Sequence, residues 1–160
     1  MKYFDDFEVG QVQHSPKSHR VTEQEIVEFG TRWDSQPFHV DAEVARNTPF
    51  GGLVASSTHL FAIAIGVWNN PQVDAAERTA AVSALGFDNM RLRLPARPGD
   101  VLTSTTRVKE KRESASRPDA GILVFLNQVR NQDDEVVFEF DSAALYLKRA
   151  GANHGSGESA

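Results

Sequence analysis

The chain contains no cysteine, which excludes disulfide staples, thiolate metal ligands, thiol nucleophiles and dithiol redox chemistry. It also lacks a long apolar run. The longest, Leu60 to Trp68, is nine residues, against roughly 20 for a helix that crosses a bilayer. The opening residues, Met1-Lys-Tyr-Phe-Asp-Asp-Phe-Glu8, are acidic where a secretory signal is basic, and they hold no apolar core; no such signal is expected. There is no basic block, and net charge is −5, so a nucleic-acid partner is not expected, because phosphate binding needs clustered cations. The histidines offer no metal site: His14, His19 and His154 share no ligand spacing, and Asp41, near His39, suits a helix cap better than a ligand. A cytoplasmic protein without a metal, membrane or nucleic-acid partner is the resulting expectation.

What is present points to one domain. A chain of 160 residues, 40% of them hydrophobic, should bury roughly two-thirds of the surface that its unfolded form exposes. Residues 1–149 form the expected domain, and the small, polar tail at 150–160 is expected to be disordered.

Local patterns place the elements. Thr22, with Glu25 three residues on, makes a capping box at a helix start. Ile26, Phe29 and Trp33 follow at i, i+3 and i+7 as one apolar face. Pro37 must stop that helix, since the residue before a proline leaves the α region. Asp41 can cap a short helix through Arg46. Leu53 to Trp68 reads as a helix apolar around most of its circumference, hence buried, with Asn69-Asn-Pro71 as its stop. The second half changes character. Segments 80–94, 100–112, 121–131 and 135–148 are rich in Val, Leu, Thr and Phe, with partial alternation and turn signals between them, as in an antiparallel meander of four strands. A buried helix against such a sheet is an α+β fold.

The chemistry candidates converge on Asp34-Ser-Gln-Pro-Phe-His39. A carboxylate and an imidazole five residues apart do not stack on a regular helix, but a turn at Pro37 can bring them to one point. Such a pair can hold water, one group taking a proton and the other giving one. Trp33 and Phe38 would partly shield it. Read on its own, so short a pattern is more often a capping aspartate and a packing histidine. Arg91, Arg93 and Arg97 could meet phosphates, though alternate arginines more often mark a solvated strand face. Gly51-Gly52 matches no P-loop or dinucleotide fingerprint.

Three ordered segments resemble the MaoC-like dehydratases, the (R)-specific enoyl-CoA hydratase group of hotdog folds. These are Asp34-Ser-Gln-Pro-Phe-His39-Val-Asp41, Pro49-Phe-Gly-Gly-Leu-Val-Ala-Ser-Ser-Thr-His59, and Gly86 to the Pro98-Gly-Asp100 turn. Phe7-Glu-Val-Gly10 fits as well, so the resemblance spans about residues 3–149. It implies a single hotdog domain, a long antiparallel sheet wrapped around a central buried helix. It also implies reversible hydration of a 2-enoyl thioester to an (R)-3-hydroxyacyl thioester, with coenzyme A as part of the substrate and no separate cofactor. The family's catalytic Asp and His fall on Asp34 and His39, and its oxyanion amide falls on the backbone N–H of Ser57.

Two residues depart from the family pattern. Gln36 stands where Asn is common, and Ser57 where glycine is usual. Phe38, Gly52 and His59 are the expected pocket residues, although His59 could equally be a packed, hydrogen-bonded core histidine. A homodimer or higher homo-oligomer is expected both from the fold and because a lone sheet would leave an edge open. Thioester hydrolysis is the alternative activity on the same fold. A non-catalytic acyl-binding or partner subunit is the alternative class, which the presence of both Asp34 and His39 argues against.

Overall fold

A computed structural model describes residues 1–68 and 78–150. The expected tail from residue 151 on and the Asn69-Asn-Pro71 stop lie outside the described residues. A 3-10 turn at Phe4–Asp6 precedes two short strands, β1 (Val12–His14) and β2 (His19–Arg20). Four helices follow: α1 (Glu23–Trp33), α2 (Pro37–Val40), α3 (Ala42–Arg46) and α4 (Ser57–Gly66). Four long strands complete the order, β3 (Ala81–Leu92), β4 (Val101–Glu113), β5 (Ala120–Arg130) and β6 (Val136–Leu147).

The four long strands fall where alternation and turn residues place them. β5 is the clearest case: from Ile122 to Arg130 its even-numbered members are half-buried and its odd-numbered ones, Leu123 to Val129, are buried, the period of a pleated strand. Their order is not a meander of four. The sheet runs β1-β4-β5-β6-β3, with β2 also on β4. The edge of β4 that a meander would give to β3 is occupied by β1 and β2, through Val12 opposite Arg107 and His19 opposite Leu102. Pro95 to Asp100 is therefore a crossover rather than a hairpin turn, and β3 closes the far edge beside β6. The sheet curls around α4, whose Leu60, Ile63 and Ala64 enter a core with Leu102, Val129, Val137, Phe138 and Phe140. This is the hotdog arrangement.

The helix ends show where sequence patterns stop short. α4 begins at Ser57, not Leu53, because Leu53 to Ala55 is an extended, buried segment: Val54 N–H donates to the Phe38 carbonyl (3.2 Å) and Ala55 N–H to that of Ala96 (2.9 Å). At α1, Thr22 accepts the Glu25 amide as expected (3.2 Å). The Glu25 carboxylate, the other arm of the capping box, instead accepts a hydrogen bond from His19 Nε2 (2.8 Å). Trp33 is 67% exposed, beneath the Arg32 guanidinium. The apolar face of α1 ends at Phe29. Among the described residues no helix is long and apolar enough to cross a membrane.

Candidate active site

The turn between α1 and α2 is built by three residue types. Asp34 caps α1, its N–H donating to the Gly30 carbonyl (2.9 Å) while its own φ of −157° and ψ of 80° leave the helix. Pro37 opens α2 at its first position, where a missing N–H costs nothing. Gly30 lets the two helices touch. A Cβ there would lie 2.9 Å from the His39 carbonyl oxygen and 3.0 Å from both His39 Cβ and Val40 Cγ1. Only a residue without a side chain permits that approach, and it carries His39 back towards Asp34.

His39 is 6% exposed, and its tautomer is set by a backbone partner. Nδ1–H donates to the Val54 carbonyl at 2.6 Å, because a carbonyl can only accept. Nε2 then carries the lone pair, and it lies 3.7 Å from Asp34 Oδ2. That is too long for a direct hydrogen bond and short enough for one water to bridge. Phe38 stands edge-on to the His39 ring, with centroids 4.5 Å apart.

Opposite this pair is the start of α4. Ser56 is the cap, its hydroxyl accepting the His59 amide (3.2 Å), so Ser57 is the first helical residue. Its N–H has no preceding intrahelical acceptor, and the helix dipole makes this end favourable for negative charge. Asp34, Phe38, His39, Val54, Ser57 and Leu60 line one cavity of about 430 Å³, walled on its other side by Leu92 to Pro95. That volume suits a small organic ligand.

The other candidates are distributed differently. Phe38 lines this cavity with Asp34, His39 and Ser57, whereas Gly52 sits in the loop beside Arg97, outside the lining. His59 points away from it, into a second cavity of about 370 Å³ bordered by His19, Phe29 and Ile63. Arg93 reaches the first cavity's rim but is paired with Glu139, and Arg97 donates to the Phe50 carbonyl (2.6 Å). Among the described residues no group of three or more His, Asp or Glu side chains is placed to hold a metal ion. Sequence reasoning missed Gly30 and Val54. A glycine inside a helical pattern is a readable signal, while a carbonyl that fixes a tautomer leaves none.

Comparison with known proteins places this geometry in a family. The model of the MaoC like domain matches residues 6–122. The uncharacterized protein YdeM of Bacillus subtilis is 31% identical over 145 residues, 91% of this chain and 98% of that protein. The crystal structure of a MaoC-like dehydratase from Rhodospirillum rubrum superposes with a TM-score of 0.81 at 33% identity, covering 92% of this chain and 97% of that one. The (R)-hydratase PhaJ1 from Pseudomonas aeruginosa superposes at 0.69 and 21% identity, covering 92% and 86%, a likeness of fold. With a family model spanning most of the folded residues and a relative matched nearly end to end, the chain belongs to the MaoC-like domain family.

Proposed function

We propose that this protein reversibly hydrates a 2-enoyl thioester to an (R)-3-hydroxyacyl thioester, with coenzyme A as the thiol portion of the substrate. The observation that carries the reading is His39 Nε2 facing Asp34 Oδ2 across 3.7 Å while Nδ1 is engaged by the Val54 carbonyl, with Ser57 on the same cavity. A water between them donates one hydrogen bond to Nε2 and the other to the carboxylate; Nε2 takes the first proton as the oxygen attacks, and the second stays on that oxygen as the new hydroxyl. The water oxygen bonds to C3 as the C2=C3 π electrons move towards the thioester oxygen. The Ser57 N–H meets the charge that gathers on that oxygen, an interaction strongest in the transition state. The imidazolium passes its proton to Asp34, which delivers it to C2 as the enolate collapses. Water has then been added across the double bond, and both groups return to their starting states.

The assay uses crotonyl-CoA. Loss of enoyl absorbance without free thiol supports hydration, and release of thiol in step with that loss would assign thioester hydrolysis instead.

The active form is proposed to be a homodimer. Every residue of β3 except Gly86 is exposed, including Val82, Leu85, Phe87, Met90 and Leu92. Among the described residues, one edge of β3 has no strand beside it. An apolar open edge is a template for pairing, and a second copy of β3 is the self-complementary occupant that closes it. Sedimentation should give a dimer at micromolar concentration. A stable monomer at that concentration contradicts the assignment.

A further inference from the structure

Behind α4, on the side away from Ser57, three titratable side chains from three elements meet. His59 of α4 is 6% exposed, and its ring lies flat on Phe29 of α1, with centroids 4.5 Å and planes 8° apart. Its Nε2 is 3.7 Å from Glu25 Oε1, one turn before Phe29 on α1. The same oxygen accepts a hydrogen bond from His19 Nε2 of β2 at 2.8 Å. His59 Nδ1 is buried without a hydrogen-bond partner, a cost that apolar packing would not carry. A leucine would fill this position on an otherwise apolar helix face more cheaply.

The location gives that cost a purpose. α1 ends at Asp34, and α4 starts at Ser57, so the relative placement of these helices sets the distance between the water-holding pair and the oxyanion amide. The backbones of α1 and α4 make few close approaches, and Phe29 of α1 and His59, Ala62, Ile63 and Gly66 of α4 border the same 370 Å³ cavity. Glu25 and Phe29, reaching across to His59, bridge the two helices. Glu25 is the carboxylate that the capping box offers to the α1 backbone, and its diversion to His19 and His59 makes the bridge.

We propose that His59, braced by Phe29, Glu25 and His19, is a positioning residue that fixes α4 and its Ser57 amide against the helix carrying Asp34. This rests on the hydration reading. Burial holds the imidazole neutral, the Glu25 charge opposes that effect, and His19 and His39 reinforce it. A neutral ring can stack on Phe29 and still present an N–H towards Glu25. Because it acts on transition-state alignment while the acyl-binding walls Phe38, Val54 and Leu60 are untouched, its loss should appear in kcat rather than in KM.

The test compares His59→Leu, which keeps the volume and loses the donor, with His59→Gln, which keeps an N–H for Glu25. With crotonyl-CoA, His59→Leu should lower kcat about 10-fold or more with KM within about twofold, and His59→Gln should recover most of it. If His59→Leu does not fold, Glu25→Ala should reproduce the kcat loss. Crystal structures of wild type and His59→Leu, or of Glu25→Ala in its place, supply a readout independent of turnover: the separation of Ser57 N from Asp34 Oδ2 should differ by about 0.5 Å or more, on the scale to which alignment is sensitive. Equal kcat in the variants, or a loss confined to KM, would overturn the proposal, as would an unchanged separation. A wild-type protein that leaves crotonyl-CoA intact would refute the hydration reading, and the crystallographic comparison would then decide the positioning role alone.

Discussion

Replacing Gly30 by alanine should separate stability from activity. The added Cβ meets His39 Cβ and Val40 Cγ1 at 3.0 Å and the His39 carbonyl oxygen at 2.9 Å. Carbon pairs sit comfortably at about 3.5–4.0 Å, so α2 must retreat from α1 by about 0.5 Å or more. Two of the three contacts are with backbone-proximal atoms, and no rotamer change relieves them. Overpacking of this kind costs about 1–3 kcal/mol, while alanine in place of a mid-helix glycine returns about 1 kcal/mol. The net loss should be small, about 0–2 kcal/mol, and visible as a modest fall in Tm. The same displacement pulls His39 Nδ1 off its bond to the Val54 carbonyl and changes the spacing of Nε2 from Asp34. Misplacement by about 1 Å can cost about 100-fold in rate, so kcat/KM should fall about 10- to 100-fold in a protein that remains folded. Thermal unfolding and a crotonyl-CoA assay on the same preparation check both halves. A folded Gly30→Ala variant with wild-type kcat/KM would refute the argument that this helix contact sets the site.

Other expectations follow from the same contacts. At Gly121 a Cβ would fall 2.3 Å from the Phe4 ring, and Phe4 anchors the second apolar cluster with Phe7, Leu123 and Tyr146. Gly121→Ala should therefore lower stability by about 1–3 kcal/mol, read as a shifted denaturant midpoint at unchanged slope. Burial holds the His59 pKa below the ordinary 6.5, against the pull of Glu25 and with the help of His19 and His39. The unfolded chain then binds the proton more readily, so stability should be full above pH 6.5 and be lost as pH falls from there towards the folded-state pKa. His59→Gln should flatten that part of a stability-against-pH curve measured by urea unfolding.

How much of this was legible in the sequence depends on the range of the interaction. Short-range signals held: Asp41 does cap α3, accepting the amides of Glu43 and Val44 at 2.9 and 3.0 Å, and the four strands fall within two residues of their alternating segments. Choices made by the whole fold did not show. Leu53 to Ala55 is as apolar as a helix, yet it pairs as extended chain because Phe38 and Ala96 offer it backbone partners. The place of β3 beside β6 was hidden because neighbours in sequence need not be neighbours in a sheet, and β1 and β2 had taken the nearer edge. Trp33 continues the period of Ile26 and Phe29, but the core ends before it. At the site, the residue types at 34 and 39 could be read directly. The Gly30 contact that brings them together, and the carbonyl that fixes the His39 tautomer, depend on chain positions 9 and 15 residues away from His39.

The central claim is that Asp34 and His39 together handle water at a thioester-activated double bond. Its most direct test is the steady-state hydration of crotonyl-CoA by Asp34→Asn and His39→Ala, with folding checked by circular dichroism. General acid–base chemistry contributes about 100- to 10,000-fold, so each variant should lose at least about 100-fold in kcat while remaining folded, and the double variant should be little worse than either. Activity within a few-fold of wild type in both single variants would contradict the account.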